Sequence, residues 1–233
     1  MCGRYRLTAK ERWLSAYFNL PEQDVHWVTR WNIAPTQQVA TIRQDRNQPK
    51  RRFALMRWGL IPYWAKDASI AANTINAVSH TAAETPAFRD PLRRRRCLIP
   101  ADGFYEWKQK GAKHKQPYSI GMADDSVFAF AGLWDRWTEA SGRVIESCTI
   151  LTTEANSLLR EIHHRMPVIL KSRDYDRWLD PAITDPQRVM DLLQPFDGQA
   201  MKTCPVSTAV NRVENDGPEC AGPVVAPEQE TLF

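Results

Sequence analysis

No apolar run in this chain of 233 residues approaches the ~18 residues of a membrane span, and no signal peptide precedes Cys2. A soluble, cytoplasmic protein with no membrane partner is therefore expected. A C-x-x-C pair and histidines at metal-ligand spacing are also missing, and the five cysteines (2, 97, 148, 204 and 220) are an odd number. A reducing compartment is expected, with no disulfide framework, no structural metal and no cofactor. There is no internal repeat and no linker long enough to divide the chain, so a single domain is expected. A strong charge of one sign is lacking too, the formal net charge being +4.

What charge there is comes in clusters. Arg93-Arg94-Arg95-Arg96, Arg51-Arg52, and Lys108, Lys110, Lys113 and Lys115 are basic runs with aromatics between them. They read either as solvated surface or as a nucleic-acid-binding face.

The chain opens with an alternating strand at 3–7. A capping box of Thr8 and Glu11 then starts a helix whose stripe is Trp13, Leu14, Tyr17 and Phe18. Strands are expected at 37–43, 52–58, 95–100, 103–109, 116–121, 127–133, 144–152, 167–170 and 200–205. A short strand or turn is expected at Asn73–Ala77, and a broken helical region at 80–94. Helices follow at 155–161, 172–179 and 185–193, and residues 217–233 read as a loose tail after a domain of 2–216. Alternation on 103–109 puts Phe104, Glu106 and Lys108 on one face and Tyr105 and Trp107 on the other.

Cys2 is the residue that organises the functional reading. Met1 is expected to be removed because the residue behind it is small, which would leave an α-amine and a thiol on adjacent carbons. An α-amine titrates near ~8 and a lysine near ~10.4, so more of the former is uncharged and nucleophilic at neutral pH. Such an amine condenses with an aldehyde to an imine, and the neighbouring thiol closes a five-membered thiazolidine. Ring closure is intramolecular, and effective molarities for well-placed pairs reach roughly 10⁵ M. If 2–7 is a strand, Arg4 shares a face with Cys2, where a guanidinium would lower the amine's pKa or grip a phosphate. Three further residues stand in unusual settings: Asn32 in a proline-braced segment, Glu106 between aromatics, and His163 ahead of His164-Arg165-Met166-Pro167. Each has an ordinary structural reading as well. Trp64, beside Tyr63, is either core or a stacking platform.

In their order, Met1-Cys2-Gly3-Arg4-Tyr5, Trp31-Asn32-Ile33-Ala34-Pro35, Trp58-Gly59-Leu60-Ile61-Pro62, Asn76-Ala77, Ala101-Asp102-Gly103-Phe104-Tyr105-Glu106-Trp107, Ile162-His163-His164-Arg165-Met166-Pro167 and Pro205-Val206-Ser207 carry a resemblance. The chain resembles the SRAP (SOS response-associated peptidase) family, also called abasic-site processing proteins. The resemblance implies an α+β, β-rich single domain, with mostly antiparallel sheets forming a barrel-like fold and flanking helices. It implies a positively charged channel for single-stranded DNA containing abasic sites, with possible partners at the replication fork, a monomeric state and, in a bacterium, association with the nucleoid.

Under that resemblance Cys2 bonds covalently to the abasic aldehyde and Asn32 orients the amine or the sugar. Glu106 shuttles protons, and His163 acts at the deoxyribose in ring opening and release. Arg4, Asn76 and Arg165 contact DNA while Trp64 stacks beside the lesion. A lyase side reaction through the imine is also implied. One departure stands out: the family reads Asn-Ala-Arg and then Glu two residues later, where this chain has Asn76-Ala77-Val78-Ser79-His80. Two alternatives stay open, an autoproteolytic thiol peptidase and a non-covalent DNA-binding module in which Cys2 is incidental.

Overall fold

The computed structural model describes residues 2–20, 27–46, 50–111 and 114–224. The chain begins with β1 (Tyr5–Leu7) and α1 (Glu11–Tyr17), followed by β2 (Arg30–Ile33), β3 (Gln38–Arg43), β4 (Arg52–Trp58) and β5 (Asn76–Val78). Helix α2 (Arg89–Arg94) leads into β6 (Arg96–Ala101), β7 (Gly103–Lys110), β8 (His114–Met122), β9 (Phe128–Thr138) and β10 (Val144–Glu154). Then come α3 (Ser157–Arg160), β11 (Arg165–Pro167), β12 (Ile169–Leu170), α4 (Tyr175–Leu179) and β13 (Met201–Pro205).

Five strands close into a barrel in the order β4-β3-β6-β9-β10 and back to β4. Every pairing in that ring is antiparallel except the last, where β10 runs parallel to β4 through Ser147↔Arg57 and Cys148↔Trp58. A second, five-stranded sheet runs β13-β8-β7-β1-β2. Strands β9 and β10 are rich in aromatic and β-branched residues, which suit a pleated, buried surface. Their central residues, Phe128–Leu133 and Ser147–Thr152, are buried on both faces.

The two sheets meet over one large core. Tyr5 of the second sheet packs edge-on between Trp58 and Phe130 of the barrel, with ring centroids 5.4 and 5.7 Å away. Burying side chains of this size contributes roughly 1.5–3 kcal/mol each. Strand β1 is therefore fastened to the barrel wall, and so is the short segment ahead of it.

Five expectations are revised. The first strand starts at Tyr5, so residues 2–4 do not alternate as strand neighbours. The capping box does not form: α1 begins at Glu11, while the Thr8 N–H and hydroxyl both donate to Asp102 Oδ2 (2.5 and 2.8 Å). Only Leu14 and Phe18 of its stripe enter the core, and Trp13 and Tyr17 stack on each other at the surface (5.2 Å). The helix expected at 185–193 is two 3₁₀ turns, Pro186–Arg188 and Met190–Leu192, because Asp185 and Pro186 start a turn that Val189 ends. The tail is packed as far as 224: Cys220 is buried with Tyr105, Val206 and Val210, and Val206 bridges Pro223. Residues 225–233 lie outside the described residues.

The tetra-arginine run also divides. Arg96 is buried, and its guanidinium donates to the carbonyls of Leu92, Arg93, Trp178 and Asp180. It thereby caps the last carbonyls of α2 and α4, and burial lowers its pKa to about 10. Arg95 pairs with Asp90 and Asp135. Arg93 and Arg94 stay on the surface. Among the described residues no helix is long and apolar enough to cross a membrane.

Candidate active site

Cys2 is fully buried at the seam of the barrel and the second sheet. Its carbonyl accepts a hydrogen bond from Asn76 Nδ2 at 2.9 Å. Burial, and then the nearby Glu106 carboxylate, push the Cys2 thiol far above the ordinary thiol range, so the sulfur is held as a thiol.

Glu106 sits on β7, 3% exposed. The residue pattern anticipated this placement: Phe104 is in the main core and Tyr105 in the smaller cluster on the other side of the sheet. The same carboxylate acts on His163. Burial lowers the His163 pKa and Glu106 raises it in part, with a net downward shift.

His163 is delivered by α3 and the turn that follows. Asn156 caps that helix by accepting from Leu159 N–H (2.9 Å), and the His163 N–H returns to the Leu159 carbonyl (2.8 Å). Its Nδ1 lies 3.0 Å from the Arg165 N–H and 3.1 Å from the Arg165 carbonyl, so the backbone of Arg165 offers this nitrogen both a donor and an acceptor. His164 stacks on His163 with centroids 4.4 Å apart.

Behind these groups stands a three-stranded wall. Strand β10 pairs in parallel with β5 (Ile150↔Asn76, Leu151↔Ala77, Thr152↔Val78) and antiparallel with β11 (Thr152↔Pro167, Glu154↔Arg165). Arg165 Nη2 donates to the Thr152 carbonyl (2.6 Å) and hydroxyl (2.8 Å). Thr152 is thus a positioning residue for Arg165, and its sequence context offered no sign of that. Val78 is half-buried at the end of β5, opposite Thr152.

The side chains of Asn32 and Arg4 bond to a different set of groups. Asn32 is fully buried, and its Nδ2 donates to the carbonyls of Asn215 (2.7 Å), Arg212 (2.9 Å) and Val210 (3.3 Å). Its Oδ1 accepts from Arg4 Nη1 (2.8 Å), which also donates to Val210 O (2.7 Å). Asp216 Oδ1 accepts the Trp31 and Asn32 N–H groups at 2.7 and 2.8 Å. Tyr105 OH and Trp107 Nε1 complete this clasp on Trp31 O and Asn211 Oδ1. Asn32 therefore fastens residues 210–216 to the second sheet, and its amide is filled by that task. Asn76, expected at the DNA, bonds the Cys2 carbonyl, and the Cys2 thiol lies 3.9 Å from the Arg4 carbonyl.

Trp64 and Tyr63 are exposed on a loop hung from the barrel. Asp135 Oδ2 accepts the Tyr63 N–H (3.0 Å), Trp137 Nε1 donates to Ala65 O (2.7 Å), and Ser147 Oγ accepts the Ile61 N–H (2.7 Å). Gly59 makes the bend into this loop: its φ is +119° and a Cβ there would lie 2.8 Å from Ala71 O. The Thr74 hydroxyl donates to Leu60 O at 2.6 Å, so the aromatic loop adjoins the chain entering β5 and Asn76. Among the described residues no group of three or more His, Cys, Asp or Glu is placed to hold a metal ion.

Comparison with known proteins gives the family and the fold. Residues 1–213 match the family model described as SOS response associated peptidase (SRAP). Abasic site processing protein YoqW of Bacillus subtilis (strain 168) is 44% identical over 223 residues, which cover 94% of this chain and 98% of YoqW. Abasic site processing protein HMCES of Gallus gallus is 35% identical over 207 residues, covering 78% of this chain and 61% of HMCES. A crystal structure of a protein from Bacteroides thetaiotaomicron has a TM-score of 0.87 at 28% identity, covering 96% of this chain and 100% of that one.

Proposed function

The chain belongs to the SOS response associated peptidase (SRAP) family, and on that premise we propose that it processes abasic sites in single-stranded DNA by a covalent bond at Cys2. The observation that carries the reading is the convergence on Cys2: Asn76 holds its carbonyl, while one carboxylate, Glu106, acts on both its thiol and His163.

The chemistry follows from those positions. With Met1 removed, the α-amine of Cys2 adds to the aldehyde carbon of the ring-opened abasic sugar. A proton leaves nitrogen, the carbonyl oxygen takes one up, and loss of water gives the imine. The Cys2 thiol then adds to the imine carbon, forming C–S as its proton passes to nitrogen, and the thiazolidine is complete. Glu106 is the group beside both steps, able to accept the amine's proton and return one to the departing oxygen. His163, neutral at pH 7 because burial lowers its pKa, serves the sugar oxygen in ring opening and on the reverse path. Holding Cys2 as a thiol suits this order, because sulfur becomes the nucleophile only after an imine stands beside it. The same property weighs against a thiol peptidase, whose nucleophile is a low-pKa thiolate in an electropositive, partly exposed place. An imine that β-eliminates before ring closure would nick the strand, which accounts for a lyase side reaction.

Trp64, exposed on its anchored loop, is proposed to stack beside the lesion. Arg165 is proposed to present to phosphate the part of its guanidinium that Thr152 does not occupy. The test is intact mass of the protein before and after incubation with an abasic single-stranded oligonucleotide. Loss of Met1 and an adduct that survives denaturation are expected. A complex that dissociates wholly on denaturation would return Cys2 to an incidental role.

A further inference from the structure

We propose that one face of the β7–β8 hairpin is a phosphate rail for the single strand leaving the active site, with Lys108, Lys110 and His114 as its contacts. The proposal rests on the DNA reading above and adds the path of the strand beyond the lesion.

The register of the hairpin assigns the faces. Glu106 pairs with Tyr118, Lys108 with Gln116, and Lys110 with His114. Directly opposed residues in an antiparallel pair share a face, as do residues two apart along a strand. Glu106, Lys108 and Lys110 therefore form one row, with His114 across from its outer end. Lys115 pairs with Gln109 and belongs to the opposite face. The row starts at the carboxylate beside Cys2 and runs outward, from buried Glu106 through half-buried Lys108 to exposed Lys110 and His114. Two residues of strand span about 6.7 Å, a repeat comparable with that of phosphates along an extended single strand.

The charges suit a polyanion. Lys108 lies 3.7 Å from Glu161, whose side chain is 82% exposed. An ion pair so open to water is worth little, and a phosphate can take over the ammonium without a large penalty. Neither Lys110 nor His114 has an ion-pair partner among the described residues. The opposite face has a different occupant, since Trp107 is bonded to Asn211 of the clasp. A strand that follows the row leaves the site on the His163 side of the hairpin, past Glu161. The rail also supplies a grip that does not depend on residue 78.

The test is fluorescence anisotropy over a salt series, with Cys2→Ala in every protein so that only binding is read. The probes are abasic oligonucleotides extended on the 5′ side only or on the 3′ side only. Lys110→Gln is expected to reduce the slope of log affinity against log salt by about 0.7, the value for one phosphate contact on a single strand. The loss should occur with one of the two extensions and not the other. Lys115→Gln, on the same hairpin but the other face, should leave both slopes unchanged. Equal losses from the two variants would mean that the hairpin acts only through its overall charge, and no loss from Lys110→Gln would mean that the strand goes elsewhere. Either result overturns the rail while the chemistry at Cys2 stands. Absence of binding by the parent protein to both probes would instead remove the DNA reading, and the rail with it. If Lys110→Gln weakens capture of a polyglutamate peptide while DNA binding is unaffected, the face docks an acidic protein and the proposal is wrong.

Discussion

Asn32 and Asn76 are the same residue type, both buried, both on short strands that flank the N-terminal segment, and they are used in opposite ways. The Asn32 amide serves three carbonyls and accepts from Arg4, so its hydrogen-bonding capacity is filled by the clasp of residues 210–216. Asn76 gives one hydrogen bond, to the Cys2 carbonyl, and its Oδ1 is buried with no hydrogen-bond partner among the described residues. A buried polar atom left without a partner costs roughly 1–3 kcal/mol. Under the proposed chemistry at Cys2, a substrate's N–H or O–H would satisfy this oxygen. The Asn32 side chain is committed to the fold, and the Asn76 carbonyl oxygen is open to the substrate that the proposed chemistry brings to Cys2.

The contrast is sharpest if the two asparagines fail differently. The largest effect belongs to Cys2 itself. Cys2→Ala should abolish the durable adduct, and Cys2→Ser, which closes an oxygen ring in place of sulfur, should give a labile one, both scored on denaturing gels after a heat step. A Cys2→Ala adduct as durable as that of the parent would show that another residue bonds the aldehyde.

Next come the two asparagines, measured side by side. Asn32→Ala strands several clasp carbonyls and should cost on the order of 3 kcal/mol. At roughly 3 °C per kcal/mol for a chain of this size, that is a fall of about 9 °C in Tm. Adduct formation per folded molecule should be nearly unchanged. Asn76→Ala should cost only about 1 kcal/mol of stability but slow adduct formation by about tenfold, equivalent to ~1.4 kcal/mol in the barrier. A reversal of these two profiles would restore Asn32 to the active site.

His163 should show itself in pH dependence. Burial holds its pKa below the ordinary value of 6.5, so the ring is neutral at pH 7 and gains its proton as pH falls below 6.5. If that proton is delivered to the sugar oxygen, release of the adduct should accelerate from pH 7.5 to pH 5.5, and His163→Ala should lose the acceleration. The same shift has a stability consequence. The unfolded chain binds this proton more readily than the native one, so native stability falls as pH drops from 6.5 through the lowered pKa. Thermal melts across that range should show a decrease that His163→Ala reduces. A release rate that accelerates equally in both proteins would assign the acid to another group.

These residues also show how far a sequence carries. Strands β6 to β10 were legible because alternation and β-branched content are local properties, and the placing of Glu106 between two aromatic faces followed from the same alternation. The barrel was legible only through the family resemblance, because the parallel pairing of β4 with β10 that closes it joins segments about 90 residues apart and leaves no local mark. Arg96 misled for a related reason. A run of four arginines reads as surface until the carbonyl ends of α2 and α4 are known to meet there. Asn32 and Asn76 were both visible as candidates, but saturation is a property of the folded neighbourhood, and no spacing rule distinguishes them. The Arg4 side chain turns to Asn32 and Val210 for the same reason: regular alternation begins only at Tyr5.

The smallest expected effect concerns Val78, where this chain departs from the family pattern of Asn-Ala-Arg. Val78 pairs with Thr152, the residue that Arg165 grips, so residues 78 and 165 flank one strand of the same wall. An arginine at 78 would stand across β10 from Arg165 and add a second cation at the channel edge. One added phosphate contact releases one counterion and steepens the salt slope on a single strand by about 0.7. Val78→Arg should therefore tighten binding of abasic single strands at low salt and converge with the parent at high salt. The adduct rate at saturating DNA should not change, because Asn76, Glu106 and His163 keep their places. Anisotropy over a salt series in the Cys2→Ala background measures the first effect, and single-turnover adduct formation in the wild-type background measures the second. The same experiment bears on Arg165: if its guanidinium is wholly committed to Thr152, Arg165→Gln will leave the slope unaltered while Val78→Arg still raises it. An unchanged slope in Val78→Arg would mean that the end of β5 faces away from the strand, and that the grip in this protein lies on the hairpin side of the site.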